Sequence, residues 1–282
     1  METPEEQVVE ERKPTSLLVA QFFLFPLIII AICVGIFLLF GYLTFEQRSP
    51  REYLKSIQNG SESQRWQAAY ELSNQVFSDK EKLDEKFVGD MIAAYRTASD
   101  ARVRKFLAVA IGNIKDKRAV VSLVEGLNDN DPENQIYTLS ALALIGDNSA
   151  VPGVEKQLKH SDPSVRKFAA YVLGALKDPS AAQALQIALN DVNDDVRWSA
   201  AMALARMNDS AGASVLMKLM DHQFVDSVAD MTPRQKSELM VNAVKCLGLL
   251  KYAPAQEKLR ELSGNDPDLA VRNASLEALK KY

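Results

Sequence analysis

Cysteine and histidine are scarce in this sequence, with two of each among 282 residues. Cys33 lies inside a long apolar run and Cys246 lies far beyond it, so no disulfide can staple the polar part of the chain. A glycine-rich phosphate loop and a Gly-x-Ser-x-Gly elbow are also missing. We therefore predict that the protein is not an enzyme and has no catalytic, cofactor-binding or metal-binding residues.

A surplus of positive charge is absent as well. The formal net charge is −4, and an acidic tail at residues 1–16 contributes five glutamates to it. Beyond this tail, acidic and basic residues are almost equal in number. Binding to nucleic acid requires clustered lysine and arginine that displace counterions from phosphates. We therefore expect no nucleic-acid partner.

Charged residues are missing from one long stretch of the chain. Residues 17–43 read LLVAQFFLFPLIIIAICVGIFLLFGYL, and no charge occurs between Lys13 and Glu46. About 20 apolar residues suffice to cross a bilayer as a helix, whereas a cleaved signal peptide has a basic start and an apolar run of about 7 to 15 residues. The stretch therefore predicts one retained transmembrane helix.

The basic residues beside this stretch predict its orientation. Arg12 and Lys13 precede it, and Arg48, Arg51 and Lys55 follow it. Because lysine and arginine collect on the cytoplasmic side, this excess of one residue places the C-terminal part in the cytoplasm. We predict a single-pass protein of a bacterial inner membrane.

Two small residues of the stretch stand four positions apart on one helix face. Such a pair, here Ala31 and Gly35, lets two spanning helices approach closely and would support self-association. Small residues are also common in spanning helices that do not associate, and that is the commoner interpretation of such a pair.

An internal repeat occupies the rest of the chain. The phrase DPSVRKFAAYVLGALKD begins at Asp162 and recurs in altered form from Asp100, Asp131 and Asn193. Equivalent positions in the four phrases, which we call the Arg positions, are 31 residues apart and are Arg104, Gln135, Arg166 and Arg197. Looser copies bring the number of units to seven and surround Arg65, Met240 and Arg272.

Each unit has the pattern of a helical hairpin, in which a capped first helix, a polar turn and a second amphipathic helix follow one another. Seven residues after the Arg position, a large apolar residue recurs at Leu72, Ile111, Leu142, Leu173, Leu204, Leu247 and Leu279. One residue further, a small residue recurs at Ser73, Gly112, Ala143, Gly174, Ala205 and Gly248. A lone hairpin cannot bury its apolar face, so the units are expected to stack closely into a solenoid.

The phrase DPSVRxxAAxxLGxLKD resembles the HEAT-like repeat first described in phycobilin lyases, over residues 61–282. The resemblance implies an all-α fold of about seven hairpins with a concave and a convex surface, used as a binding scaffold. Bilin attachment would require a reactive cysteine, and the polar part offers only Cys246 at a core-facing position. HEAT-like hydroxylases carry repeated His-Glu pairs, whereas His160 and His222 occupy non-equivalent positions, which excludes such a di-iron centre here.

The ends of the repeat array are expected to carry lids. Residues 44–60 combine a linker with a capping helix that begins at Ser49-Pro50-Arg51-Glu52. The last helix, a half-unit, is the second lid. The predicted organisation is therefore an acidic tail at 1–16, a transmembrane helix at 17–43, a linker and capping helix at 44–60, and a solenoid at 61–282.

The arginines at the Arg positions have two interpretations. They could form an anion-binding row, or each could pair with its own helix cap or with an acid of the next unit. We favour the second, because a recurring arginine is more often structural than functional.

Four side chains are candidate partner-binding residues. Trp66 and Trp198 directly follow an Arg position and could anchor a partner or fill the groove between units. Phe224 and Val225 belong to Asp221–Lys236, which exceeds the repeat plan by twelve residues. Such insertions usually emerge as loops, often on the binding face, although a neutral excursion is the alternative.

Together these features predict a membrane-anchored, non-catalytic HEAT-repeat scaffold that binds a partner protein, such as an integral membrane complex. An accessory or assembly subunit of a membrane transporter or enzyme is the alternative. A lyase-like modifying enzyme is a third hypothesis, for which the sequence offers no reactive residue.

Overall fold

The computed structural model of the protein describes residues 23–44, 48–78 and 83–282. The predicted acidic tail at 1–16 lies outside these residues. The chain divides into two compact units, Met1–Ser49 and Pro50–Tyr282.

In the first unit, helix α1 spans Phe25–Thr44 and contains no charged residue. Its large apolar side chains up to Leu39 are exposed to solvent. Among the described residues, no helix combines the length and the apolar character needed to cross a membrane. The transmembrane helix predicted at 17–43 therefore has no support from the described residues, and self-association through Ala31 and Gly35 stays a prediction.

The second unit consists of helices and turns wherever it is described. Its helices are α2 Pro50–Asn59, α3 Glu62–Ser78, α4 Glu85–Thr97, α5 Ala101–Ile114, α6 Val120–Gly126, α7 Pro132–Ile145, α8 Val151–Gln157, α9 Pro163–Leu176, α10 Ala182–Ala188, α11 Asp194–Arg206, α12 Ala213–Lys218, α13 His222–Ser227, α14 Pro233–Leu250, α15 Gln256–Asn265 and α16 Leu269–Leu279. The all-α solenoid predicted for residues 61–282 is confirmed in these terms.

The predicted caps begin the helices that carry the Arg positions. The side chain of Asp131 accepts a hydrogen bond from the backbone N–H of Glu133 at 2.9 Å, and Asp162 accepts one from Ser164 at 2.7 Å. Asp100 and Asn193 cap α5 and α11 in the same way. These bonds satisfy backbone donors that a first helical turn leaves without partners.

The pairing of helices differs from the predicted one. The short helices α6, α8 and α10 pack against the long helices that follow them, α7, α9 and α11, whereas α12 packs on both α11 and α14. The hairpins were therefore predicted out of phase by one helix. We call the first helix of each hairpin leading (α2, α4, α6, α8, α10, α12 and α15) and the second trailing (α3, α5, α7, α9, α11, α14 and α16).

The new phase changes the role of both predicted lids. Helix α2 packs on α3 as the leading helix of a complete first hairpin, and α16 packs on α15 as the trailing helix of the seventh. The described array thus contains seven complete hairpins, with α13 inserted between the two helices of the sixth. The ends are closed by ordinary repeat helices.

The trailing helices form the inner layer of the stack. Successive trailing helices pack extensively on one another, whereas the leading helices touch one another much less. A Cβ added to Gly174 of α9 would lie 2.6 Å from the Cα of Ala203 in α11, and the equivalent distance for Gly112 is 2.7 Å from Ala141. The predicted row of small residues therefore lets neighbouring backbones meet, and the closer layer lies on the concave side.

The apolar row beside it supplies the core. Leu72, Leu142, Leu173, Leu204 and Leu247 are fully buried, and only Leu279 in the last hairpin is partly exposed. A buried leucine side chain stabilises the fold by roughly 1.5–3 kcal/mol relative to an exposed one. The core therefore runs along the whole stack, and the outer surface of the trailing helices is left for other contacts.

Candidate partner-binding surface

A set of aromatic side chains crosses the concave surface from helix to helix. They occupy outward positions of the four trailing helices α3, α5, α7 and α9, and two of them are the most exposed aromatic residues of the described solenoid, Tyr70 at 44% and Tyr171 at 48%. We call this set the aromatic ladder, and it consists of Trp66, Tyr70, Phe106, Tyr137, Phe168 and Tyr171.

Two ring pairs occur within the ladder, one between helices and one within a helix. The Tyr70 ring meets the Phe106 ring edge-on at 5.3 Å between centroids, which joins α3 to α5. The Phe168 and Tyr171 rings are 6.4 Å apart on α9. Edge-to-face pairs of this kind contribute about 0.5–1.5 kcal/mol beyond the area they bury. These pairs hold the exposed rings of Tyr70 and Tyr171 against neighbouring rings.

Lysines lie between the rungs. The Lys105 Nζ is 4.7 Å from the centre of the Tyr137 ring and 5.8 Å from that of Phe106. It also donates to Glu133 of the next trailing helix at 2.5 Å, and this hydrogen bond raises the pKa of Lys105. Lys167 repeats the arrangement with Asp195 at 2.7 Å. Both lysines therefore form ion pairs with acids of the neighbouring trailing helix.

The C-terminal end of the same surface is basic. The Arg206 guanidinium lies 5.1 Å from the centre of the Tyr171 ring, so the aromatic ladder and the basic region are adjacent. The positive charges of Arg206 and Lys281 both act on the Cys246 thiol. Lys245 precedes that cysteine on the exposed side of α14. We call Arg206, Lys245 and Lys281 the basic cluster.

The Arg positions are used to join repeats. Arg104 donates from Nε to Asp129 at 2.6 Å, and Arg166 donates from Nε to Asp191 at 2.7 Å and from Nη2 at 2.8 Å. The Arg166 hydrogen bond lowers the pKa of Asp191. Both acids stand two residues before the cap of the next trailing helix, so the predicted pairing with an acid of the next unit is confirmed at these positions.

The sequence also allowed each arginine to pair with the cap of its own helix. At Asp100 this is not the case, because the side chain of Asp100 accepts hydrogen bonds from Arg102 instead.

The acids two residues before a cap also accept the backbone N–H of that cap residue, as Asp191 does from Asn193 at 2.8 Å. Sequence reasoning missed these acids. Their signal was the recurring Asp-x-Asp or Asp-x-Asn pattern at Asp129-Asn130-Asp131 and Asp191-Val192-Asn193.

The two tryptophans have different environments. Trp198 is 5% exposed and belongs to the core. Of its two interpretations, it therefore fits the one in which the indole fills the groove between units. Trp66 is partly exposed and lies under the Arg102 guanidinium at 5.5 Å, at the N-terminal end of the aromatic ladder. Trp66 therefore remains accessible to a partner, whereas Trp198 is covered by the protein itself.

The insertion contains a short helix, α13, that packs on the core. Val225 of α13 is fully buried, Phe224 is partly buried, and both pack against the core around α14. Thr232 and Gln235 form a capping box at the start of α14. Of the two insertion residues proposed to contact a partner, Val225 is therefore covered and Phe224 keeps only part of its surface.

One residue of the insertion replaces a missing arginine. The Arg position of the sixth unit is Met240, which cannot donate a hydrogen bond. Asp266, the buried acid before the cap of α16, receives His222 Nε2 at 2.8 Å and the backbone N–H of Asp268 at 2.8 Å. The insertion thus supplies the partner that the repeat lacks.

The second histidine, His160, has a structural role, and the leading helices carry a separate groove. His160 takes the place of an acid before a cap, and its Nδ1 accepts the backbone N–H of Asp162 at 3.0 Å. No group of three or more metal-binding side chains occurs among the described residues. On the leading helices, a groove of about 730 Å³ lies between α8 and α10 beside Ile187.

The repeat array defines a class of protein. HEAT repeats match residues 120–205, 151–232 and 185–280, which together cover more than half of the chain. The protein belongs to the HEAT-repeat family, in agreement with the resemblance drawn from its sequence.

Two solved structures show the same fold. A chain in the complex of CpcE and CpcF of phycocyanin lyase from Nostoc sp. PCC7120 is 20% identical with a TM-score of 0.56, over 82% of this chain and 87% of that one. The E. coli protein YibA is 17% identical with a TM-score of 0.52, over 86% of this chain and 96% of that one. No curated protein sequence matches the chain. At these identities the likeness concerns the fold alone.

Proposed function

We propose that the protein is a non-catalytic scaffold that binds a partner protein on the concave surface formed by its trailing helices. The observation that carries the proposal is the aromatic ladder. Tyrosine, tryptophan and arginine are the residues that most often dominate binding energy at protein interfaces. Here aromatic side chains of four successive trailing helices lie on one surface, next to Arg206.

The environment of Cys246 supports a non-catalytic role. This thiol is 8% exposed, and burial raises its pKa. Since the thiolate is the reactive form, a buried thiol with a raised pKa is a poor nucleophile. A covalent lyase-like reaction at Cys246 is therefore the less favoured hypothesis.

The scaffold is proposed to be held at a bacterial inner membrane by its N-terminal segment, with the solenoid in the cytoplasm. The proposal rests on the charge-free stretch at 17–43 of the sequence. The large apolar side chains of α1 from Phe25 to Leu39 are exposed and would need to be covered. A helix that is apolar on every side is stable when lipid or protein covers it. Tethering would raise the effective concentration of the scaffold near a membrane partner.

The two most exposed rungs provide the test of the binding surface. We expect a variant with Tyr70→Ala and Tyr171→Ala to retain at least tenfold less partner after affinity purification from native membranes, because removing anchor side chains typically costs more than about 1 kcal/mol each. Quantitative mass spectrometry of the co-purified proteins measures the change.

A matched control uses the other side of the stack. Val121→Ala with Ile187→Ala removes two side chains of the leading helices that are 70% and 67% exposed. This variant should keep its partners. If both variants lose their partners equally, or if the tyrosine variant keeps its partners, the concave surface is not the binding surface.

A further inference from the structure

The charges of the concave surface are distributed unevenly along the stack. In α5 and α9, the lysine that directly follows the Arg position is engaged by an acid of the next helix, Glu133 for Lys105 and Asp195 for Lys167. The three side chains of the basic cluster differ. Within the described part of the chain, none of them forms an ion pair with an acid within 4.0 Å.

One cation of the basic cluster occupies a helix position that the ladder also uses. Lys245 stands five residues after the Arg position of its unit, as Tyr70 and Tyr171 do in theirs. Lys281 stands nine residues after its Arg position, as Arg206 does. The surface therefore continues across α11, α14 and the end of α16 with three cations, and its fifth position in α16 is Glu277, which is paired with Lys280.

Apolar surface persists beside these cations. Tyr171 is 48% exposed at the start of the cluster, and Leu249 of α14 is 46% exposed. A ligand along this region would meet rings first and then positive charges accompanied by Leu249. That combination requires a ligand with carboxylates and with at least one large apolar side chain.

We propose that the occupant of this region is an acidic peptide segment of the partner protein, lying across the trailing helices from α9 to α16. Its carboxylates pair with the basic cluster, and an aromatic or large aliphatic side chain packs beside Tyr171. The inference rests on the proposed function, since it names the chemistry of the partner that the concave surface binds. Charge complementarity is the argument for it, because the cluster is positive and its three cations are not paired with acids among the described residues, while the nearby Glu277 is already paired with Lys280.

A nucleic acid fits the same surface less well. The rings of the ladder could stack on bases, yet a phosphate backbone needs a long row of free cations, and the lysines beside the rings are paired with Glu133 and Asp195. The basic cluster is also short, with three cations. An oligonucleotide therefore serves as a competing probe in the test.

The experiment measures binding of short fluorescein-labelled peptides to the full chain in neutral detergent micelles, by fluorescence anisotropy. Repeated Glu-Glu-Phe is the acidic probe, repeated Ser-Ser-Phe the neutral probe and oligo-dT the nucleic-acid probe. We expect the acidic peptide to bind at least about tenfold more tightly than the other two, and its affinity to fall as salt is raised.

Charge-reversal variants locate the binding. Lys245→Glu with Lys281→Glu changes two exposed side chains and should weaken the acidic peptide by about tenfold without altering the helical circular dichroism. Arg206→Glu is a second, independent variant with the same expected direction. Lys156→Glu with Lys218→Glu, on the leading helices α8 and α12, is the matched control and should change affinity less than about twofold.

The outcomes separate this inference from the function on which it rests. Equal binding of the acidic and neutral peptides, tighter binding of oligo-dT, or equal losses in the control variant would overturn the inference. If the neutral peptide binds and Tyr171→Ala abolishes it, the concave surface remains the binding surface and only its preference for acids is wrong. If partner capture does not depend on the ladder either, the proposed function fails as well.

Discussion

At the scale of single residues, the repeats are joined by acids that stand two positions before a helix cap. Asp191 accepts hydrogen bonds from Arg166 of the preceding trailing helix and from the backbone of Asn193 in the next. One carboxylate thus fixes two successive helices. Arg166 also donates from Nη1 to the backbone carbonyls of His160 and Ser161, so both partners of the ion pair are held by further hydrogen bonds.

His222 provides the sharpest residue-scale prediction, since it substitutes for a missing arginine. His222→Ala leaves the buried Asp266 carboxylate without its side-chain donor, and we expect it to lower the free energy of unfolding by about 1–3 kcal/mol. Because a repeat array can unfold in parts, hydrogen exchange of the α15 and α16 amides should be recorded together with urea unfolding. Exchange should accelerate first in these two helices.

The neighbouring residue supplies the control for that measurement. Gln223 is exposed on α13, and Gln223→Ala should change stability by less than about 0.5 kcal/mol. Unchanged exchange in α15 and α16 of the His222→Ala variant would show that the insertion does not support the last hairpins.

At the scale of helices, the closeness of the trailing layer depends on residues without a side chain. Gly174 lies against Ala203, whose Cα would be 2.6 Å from an added Cβ. The obstructing atom belongs to a backbone and cannot rotate away, unlike the end of a flexible side chain. The inner layer can therefore adapt only by moving whole helices apart.

Gly174→Ala is accordingly expected to destabilise the protein by about 1–3 kcal/mol through overpacking, despite the better helix propensity of alanine. Gly89→Ala on the leading helix α4 is the matched control, because an added Cβ there has no neighbour within 4 Å. It should be neutral or stabilise by up to about 1 kcal/mol. Thermal unfolding of both variants measures the contrast, and a destabilised Gly89 variant with an unaffected Gly174 variant would contradict the packing described.

The sequence predicts the helices and their stacking well, because caps, apolar rows and small residues recur with one period. Leu173 and Gly174 could be placed correctly for that reason. The phase of the hairpins could not be predicted in the same way, since a repeat of 31 residues is equally compatible with pairing forwards or backwards. Whether α6 packs on α5 or on α7 is decided by tertiary contacts.

The candidate surface was harder to predict than the fold. Phe106, Tyr137 and Phe168 stand two residues after the Arg position in three consecutive units, which was a visible signal. Tyr70 and Tyr171 occupy a different row and join the others only once the helices are packed. Trp198 was misleading in the other direction. A tryptophan is a common anchor at interfaces, but here neighbouring helices bury it.

At the scale of the whole molecule, the two layers of the solenoid present different surfaces. The trailing layer carries rings and charges that continue from one helix to the next. The leading layer carries separate exposed apolar residues such as Val121 and Ile187 and a shallow groove. A partner that contacts several repeats at once would find continuous chemistry only on the trailing side.

Membrane attachment is the first prediction at this scale. The full chain should remain with bacterial membranes after extraction with alkaline carbonate, and deletion of residues 17–43 should release it, because about 20 apolar residues are enough for stable insertion. A C-terminal fluorescent protein should fluoresce, while a C-terminal alkaline phosphatase should be inactive, if the solenoid lies in the cytoplasm. Release by carbonate would contradict the proposed anchor, and an active phosphatase would reverse the orientation.

The most direct test of the central claim is site-specific photo-crosslinking on the two faces of the stack. A photoreactive phenylalanine analogue placed at Tyr70, Tyr137 or Tyr171 of the full chain in native membranes should form one covalent adduct of the same mass at all three positions. The same analogue at Val121 or Ile187 should form none. Adducts confined to the leading helices, or different adducts at each ladder position, would contradict the account of a single partner on the concave surface.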